Sequence, residues 1–379
     1  MSLSRQEPSF KILHVAETVR GGIATYFNEL HGHQVAGFGA ANIRYVIPAD
    51  HRSDLVAVED AAIVGFDRRG RDPGILWRMV LATLAQVRTQ RPDIVHLHST
   101  FAGMVLRPIL KLAAPRTRVI YCPHGWAFSR ETSKLSHFAT KTIERLLAPL
   151  CDRIICISQS EREAGIAAGL STAKLALVRS GIGTARPSAP QASWDDPRTK
   201  VLFVGRLDRQ KGYDLLIEAA RRVESQVHLR MIGSAVVGSE KAPDPPANVE
   251  MLGWQGREAI EAQLDLADVA IIPSRWEGFG LVALEAMRAR KPVIAFAIGA
   301  LPEIVEDGVT GFLCSPVATQ PLVEALDHCS RASLATMGER GYERFLKLFR
   351  SDQMHYALTT VYTEVTGVTA DLRSETMAA

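Results

Sequence analysis

Two series of short apolar runs, each alternating with segments of helical periodicity, constrain the fold of this chain more than any other feature. In the first series the runs read as strands at residues 11–16, 43–47, 94–97, 119–122, 153–157 and 174–178. In the second they fall at 200–204, 228–232, 249–252, 269–273, 292–296 and 311–313. Strands this short, apolar and separated by helices are those of parallel sheets with crossover connections. Between Gly181 and Pro197 the pattern stops, and Pro187, Pro190 and Pro197 with Gly, Ser and Ala make the composition of a linker. The sequence therefore predicts two doubly wound α/β domains over 1–185 and 186–349. In a closing segment over 350–379, Met354, Tyr356, Leu358, Val361 and Tyr362 keep helical register before a small, polar, frayed end from about residue 366.

A length of 379 residues suits two such domains, and 47% hydrophobic with 22% charged residues excludes a disordered chain. The opening residues lack the apolar core of a secretory signal, and no apolar run reaches spanning length, so a cytoplasmic protein is expected. Five cysteines, Cys122, Cys151, Cys156, Cys314 and Cys329, read as buried free thiols. Neither a His/Cys cluster of zinc spacing nor a D-x-D pair occurs, so no metal and no cofactor is predicted. Basic residues exceed acidic ones over 1–185 and the reverse holds beyond, but the charges are dispersed and lack interleaved aromatics, against a nucleic-acid partner. Segments 75–91 and 134–153 set apolar positions at helical spacing beside Arg78, Arg88, Lys141 and Arg145. They read either as surfaces for peripheral contact with an anionic inner membrane face or as ordinary domain helices with a solvated side.

The motifs sit at strand ends. In PSRWEGFGLVALEAMRA, residues 273–289, Glu277 and Glu285 stand eight positions apart around a Gly278-Phe279-Gly280 turn, and a helix opens at Leu281. The two glycines let ligand atoms approach the main chain, and the free N–H groups of the helix opening attract phosphate. Glu277 at that mouth can accept hydrogen bonds from hydroxyls, so a polyhydroxylated group joined to a phosphate satisfies the turn. In GRLDRQKG, residues 205–212, Arg206 offers a bidentate fork and Lys211 a mobile charge, which together make a diphosphate cradle. After the first strand, Gly21 and Gly22 open a helix, a weak signal alone because the dinucleotide glycine fingerprint is missing. His124 lies in YCPHGWAF, held in a turn by Pro123 and Gly125 at the carboxyl edge of a sheet, where ligands of such folds bind. His96, His98 and His137 read as structural, and Ser158 with Glu161 as a helix-capping box. Trp254, after another strand, reads as base-pocket or packing residue and stays outside the candidate site.

This constellation resembles the retaining glycosyltransferases of family 4, and the resemblance covers nearly the whole chain. It implies the GT-B fold, two Rossmann-like domains facing an interdomain cleft, with a final helix that crosses back to the first. It implies that Glu277 meets the donor sugar and Glu285 the nucleotide, with Gly278, Phe279, Gly280 and Leu281 as the binding loop. Arg206 and Lys211 then stabilise the departing diphosphate in place of a metal, Gly21 and Gly22 form the glycine loop, and His124 contacts the sugar as a hydrogen-bond donor. At 179–183 the chain reads Arg-Ser-Gly-Ile-Gly where the family often shows Asn-Gly-Val-Asp, so the hinge contacts differ. The implied reaction is retaining transfer from a nucleotide-sugar, UDP-linked rather than GDP-linked. With no first-domain carboxylate placed as a nucleophile, front-face attack is favoured. The basic, unanchored first domain suggests a saccharide on a lipid carrier as acceptor, with a soluble small molecule as the other reading, and the stretches HLHSTFAG and PHGWAF look like those of bacterial enzymes of surface-polysaccharide assembly. Two alternatives share the nucleotide site: a UDP-sugar epimerase, and a non-catalytic nucleotide-sugar-binding subunit.

Overall fold

A computed structural model describes residues 10–68, 74–130, 133–235, 244–329 and 331–368. The opening residues and the end of the expected polar tail lie outside the described residues. The chain divides into two compact units, Met1–Gly181 with Ser351–Ala379, and Ile182–Arg350. These divisions fall beside the sequence boundaries at 185/186 and 349/350.

The first unit carries β1 (Ile12–Ala16), α1 (Gly22–Phe38), β2 (Ile43–Pro48), β3 (Ile63–Phe66), α2 (Gly74–Gln90), β4 (Ile94–His98), α3 (Thr100–Ala113), β5 (Arg118–Cys122), α4 (Lys134–Leu147), β6 (Arg153–Cys156), α5 (Gln159–Ala167) and β7 (Leu175–Leu177). Its seven strands pair in parallel in the order β3-β2-β1-β4-β5-β6-β7. The second unit carries β8 (Thr199–Val204), α6 (Tyr213–Arg222), β9 (Val227–Ile232), β10 (Val249–Gly253), α7 (Arg257–Leu266), β11 (Val269–Ile272), α8 (Leu281–Arg288), β12 (Val293–Phe296), α9 (Leu301–Ile304), β13 (Gly311–Cys314), α10 (Thr319–Asp327) and α11 (Arg331–Leu348). Its six parallel strands run β10-β9-β8-β11-β12-β13. Strand order reverses between β1 and β4 in one sheet and between β8 and β11 in the other, and loops leaving the carboxyl ends at such points are where doubly wound folds bind ligands.

All twelve elements expected as strands are present, with bounds shifted by one residue at one or both ends. The sequence reading missed β3. It is four residues long, contains Gly65, and lies at the sheet edge with one neighbour, so it shows neither length nor an unbroken apolar run. The last helix, α12 (Ser351–Thr366), belongs to the first unit. Met354, Leu358, Val361 and Tyr362 are buried and Tyr356 is exposed. His33 Nε2 lies 3.0 Å from Ser351 Oγ and His96 Nδ1 2.8 Å from Tyr362 OH, pinning α12 at both ends.

Each unit has its own apolar core, and each encloses a charged pair. In the first, Arg107 bonds Glu144 at 2.7 Å and Tyr121 OH donates to the same carboxylate at 2.9 Å, with both charged groups buried. In the second, Arg288 pairs with Glu261, which Arg186 also bonds at 2.8 Å. Buried ions persist only when paired in this way. Cys122, Cys151, Cys156 and Cys314 are buried free thiols and Cys329 is half-buried. Among the described residues no helix is long and apolar enough to cross a membrane.

Candidate active site

In the second unit the loops after β8 and β11 are joined into one structure. Arg275 N–H donates to Gln210 O at 2.8 Å, Gln210 Nε2 reaches Trp276 O at 3.3 Å, and Arg275 grips Asp214 through two bonds of 2.7 and 2.6 Å. Gly212 sits between the loops in the left-handed region at φ 66°, where a Cβ would stand 1.8 Å from Pro273 O, so no other residue fits. Gly299, at φ 53°, abuts the Glu277 carbonyl, 2.5 Å from where its Cβ would be. The main chain of Glu277 is thereby held from below.

Its side chain is held too. Lys211 Nζ lies 2.5 Å from Glu277 Oε2, and Ser274 Oγ donates to the same oxygen at 3.1 Å. Arg206 pairs with Asp208 at 2.9 Å and donates to Gln210 Oε1 at 2.7 Å, with its side chain half exposed. The structure thus brings Arg206, Lys211 and Glu277 together, with Asp208 paired to Arg206 and Glu277 to Lys211. Gly280, at φ 99°, caps α8, and its carbonyl accepts the N–H of Ala283 at 2.9 Å, which leaves the N–H groups of Leu281 and Val282 without a partner inside the helix. Glu285 lies one turn further along α8 and is half-buried. Gly278 is half-buried in the turn. Phe279 differs from the others: it is 4% exposed and packs edge-on against Phe349 at 6.1 Å, so its side chain anchors the loop in the core and only its main chain belongs to the turn. Trp254 packs against little and is 70% exposed beyond β10, contrary to a packing role.

In the first unit the carboxyl edge of the sheet collects unusual backbone. Gly21 (φ 70°), Ser99 (φ 79°, ψ 157°), His124 (φ 53°) and Gly125 (φ 102°) follow β1, β4 and β5. Ser99 occupies a region that glycine alone enters freely, and such strain concentrates at functional sites. A Cβ on Gly21 would meet nothing within 4 Å, so the start of α1 at Gly22 is open to approach. Ser99 Oγ donates to Glu17 at 2.9 Å. The His124 turn is locked by Glu161, whose buried carboxylate accepts the N–H groups of Gly125 and Ile157, both at 2.6 Å. Ser158 Oγ accepts the N–H of Glu161 at 3.0 Å, which is the capping role read from S-x-x-E.

His124 is not alone. Its Nε2 lies 2.8 Å from His98 Nδ1, and His98 in turn contacts His14 at 3.0 Å. Burial pushes His14 and His124 down to about 3 and drives His96 and His98 well below the usual histidine range, so the group is neutral at physiological pH. The ligand atoms of His14, His96 and His98, and those of His98, Cys122 and His124, lie close enough to one another to hold a metal ion, although no zinc spacing appears in the sequence. Hydrogen bonds already engage both ring nitrogens of His14 and of His98. Sequence reasoning missed Glu17, Ser99, Glu161 and Ser274. Only Glu161 gave a local signal, and that pointed to the cap rather than to a turn 36 residues away.

Residues 20–186 match the family model described as Glycosyltransferase Family 4, and residues 186–344 the model for glycosyl transferases group 1. A protein of the cps region of Klebsiella pneumoniae is 31% identical over 327 residues, covering 83% of this chain and 89% of that protein. The glycogen synthase of Mycobacterium tuberculosis is 30% identical over 250 residues, 62% of this chain and 59% of that enzyme. Among solved structures, sucrose-phosphate synthase from Thermosynechococcus elongatus superposes with a TM-score of 0.80 at 20% identity, over 94% of this chain and 99% of that one. HepE from Anabaena, solved with UDP and glucose, gives 0.76 at 19% identity, over 94% and 100%. With matching models over both units and a relative aligned along most of its length, this chain belongs to glycosyltransferase family 4 and has the two Rossmann-like domains of the GT-B fold.

Proposed function

We propose that the protein transfers a sugar from a UDP-sugar, with retention at the anomeric carbon, to a lipid-linked saccharide in the assembly of a cell-surface polysaccharide. The observation that carries this reading is the cluster of Arg206, Lys211 and Glu277 beside the start of α8. Two cations and the N–H groups of Leu281 and Val282 at the helix start suit a diphosphate, and a carboxylate 2.5 Å from one of those cations suits the hydroxyls of the sugar attached to it. Transfer requires charge to build on the leaving diphosphate, and fixed positive groups there lower the barrier without a metal. Front-face attack, with the leaving phosphate accepting the acceptor's proton, accounts for retention without a nucleophilic carboxylate. Glu285 then serves the nucleotide, and Gly21, Gly22 and His124 serve the sugars bound by the first unit. HepE is solved with UDP and with UDP-glucose, which favours uridine as the base. The Klebsiella relative comes from a cps region, which favours a polysaccharide product.

Contact with a membrane surface is part of the proposal. Trp77 and Leu81 on α2, Phe101 and Leu112 on α3, and Leu135, Phe138 and Leu146 on α4 are all exposed, and α3 packs beside both other helices. Arg78, Lys111, Lys134, Lys141 and Arg145 lie on the same three helices. Apolar side chains flanked by cations are the composition of an anionic-lipid interface. The double variant Trp77→Ser with Phe138→Ser should lose at least about tenfold in affinity for vesicles containing anionic lipid, given ~1.5–3 kcal/mol for burying one large apolar side chain. Flotation of both proteins with such vesicles measures it, and equal binding rejects the membrane surface. Incubating the enzyme with labelled UDP-sugars and lipid-linked saccharides tests the reaction, and an axial product linkage from an axial donor is the expected outcome. Release of free sugar with no acceptor product contradicts it.

A further inference from the structure

His124 is the outer end of a row of hydrogen-bonded side chains that runs into the core of the first unit. His14 on β1 and His96 on β4 are register neighbours in a parallel pair, so they share a face of the sheet, and His98 two residues further along β4 shares it too. Gln34, from α1, covers that face. Gln34 Oε1 lies 2.9 Å from His14 Nε2, His14 Nδ1 lies 3.0 Å from His98 Nε2, and His98 Nδ1 lies 2.8 Å from His124 Nε2. Gln34, His14 and His98 are fully buried, so bulk water does not compete along this path.

A neutral imidazole has one N–H and one lone pair. Three of them in a row, each bonded through opposite ring nitrogens, can satisfy both shared contacts in only two ways: every proton on Nε2, or every proton on Nδ1. Any other arrangement sets two N–H groups or two lone pairs against each other at about 3 Å. The inner end decides between the two. An amide oxygen only accepts, so Oε1 of Gln34 calls for a proton on His14 Nε2, which passes the same choice to His98 and then to His124.

We infer that Gln34, His14 and His98 are a positioning chain that fixes His124 in the Nε2-protonated tautomer and leaves its Nδ1 as a hydrogen-bond acceptor. His124 then receives a hydroxyl proton rather than offering one, the reverse of the donor role that the family resemblance implies. That the hydroxyl belongs to a sugar rests on the function proposed above, whereas the tautomer does not. Burial keeps each ring neutral, which is the condition under which the chain has a direction at all. The ring of His124 also stacks on His98 at 5.1 Å and meets Tyr26 edge-on at 4.9 Å, so it cannot turn over to exchange its nitrogens without displacing both.

Nitrogen NMR of isotope-labelled histidine in the full chain tests this, because protonated and bare ring nitrogens have well-separated shifts. In the wild type, His14, His98 and His124 should all show a protonated Nε2 and a bare Nδ1. In Gln34→Leu the acceptor is gone and a buried N–H would be left facing a methyl group. The chain should therefore reverse, with the Nε2 and Nδ1 signals of His124 exchanging character. A wild-type His124 protonated at Nδ1, or mixed, overturns the proposal even if the leucine variant does not fold. A folded Gln34→Leu protein with an unchanged His124 overturns it equally. None of these readings needs a donor or acceptor substrate, so the expected tautomers in a protein that transfers no sugar would sink the proposed reaction and leave the chain standing.

Discussion

Glu277→Gln should lower sugar transfer by about 10²–10³-fold while UDP still binds at least as tightly as to the wild type. The carboxylate accepts from both Lys211 and Ser274, so its position is fixed before any substrate arrives. A glutamine of the same size keeps that position but offers one acceptor oxygen and a donor, and it no longer orients sugar hydroxyls through a charge. UDP has no sugar and loses nothing by the change. It gains instead, because Lys211 is released from its 2.5 Å ion pair and becomes free for phosphate. The signature is therefore a split between turnover and nucleotide affinity, read from initial rates and from UDP titration of the same preparation. A variant that transfers sugar at the wild-type rate, or loses UDP binding together with turnover, contradicts the role given to Glu277.

Mild acid should destabilise the protein steeply. His14, His96 and His98 are fully buried and their folded values lie far below 6.5, with burial as the first cause in each. Below the unfolded value of about 6.5 the unfolded chain takes up protons that the folded chain refuses, so the stability present above that pH is lost as pH falls toward the folded values. Each such group contributes a slope of up to ~1.4 kcal/mol per pH unit, and three together roughly 4 kcal/mol per unit. Against a typical total of about 5–15 kcal/mol, that is enough to unfold the protein before most carboxylates titrate. Urea unfolding at pH 7, 6 and 5 measures the slope. Stability that stays level over this range means that the histidines take up protons in the folded state and that their burial is not as described.

What the sequence makes legible is what is written locally. The apolar runs announced the strands, and the glycine-bearing motifs marked the strand ends where Arg206, Lys211 and Glu277 converge. Gly212 shows the limit. Its place in the motif was plain, but its reason, a 1.8 Å approach to Pro273 O, depends on a loop some 60 residues away. The spacing of two in His96-Leu97-His98 sets both rings on one face of a strand, yet the link to His14 needs the β1–β4 register and the link to His124 needs a left-handed turn held by Glu161. Arg107, Glu144, Glu261 and Arg288 gave no signal in the sequence because each becomes a core residue only through a partner on another element. Phe279 misled for the opposite reason: a residue between two loop glycines faced the core rather than the ligand. β3 was too short and too glycine-broken to stand out against the loops around it.

On the function proposed here, the loops after β8 and β11 form a cradle for the diphosphate of a nucleotide-sugar. Isothermal titration of UDP into the wild type and into Arg206→Ala, with chelator present and no added metal, addresses it most directly. The wild type should bind in the micromolar range and the variant should lose roughly tenfold or more, the share of a charge-assisted hydrogen bond at about 1.5–3 kcal/mol. Equal affinity for the two proteins, or no binding of UDP to the wild type, would contradict it.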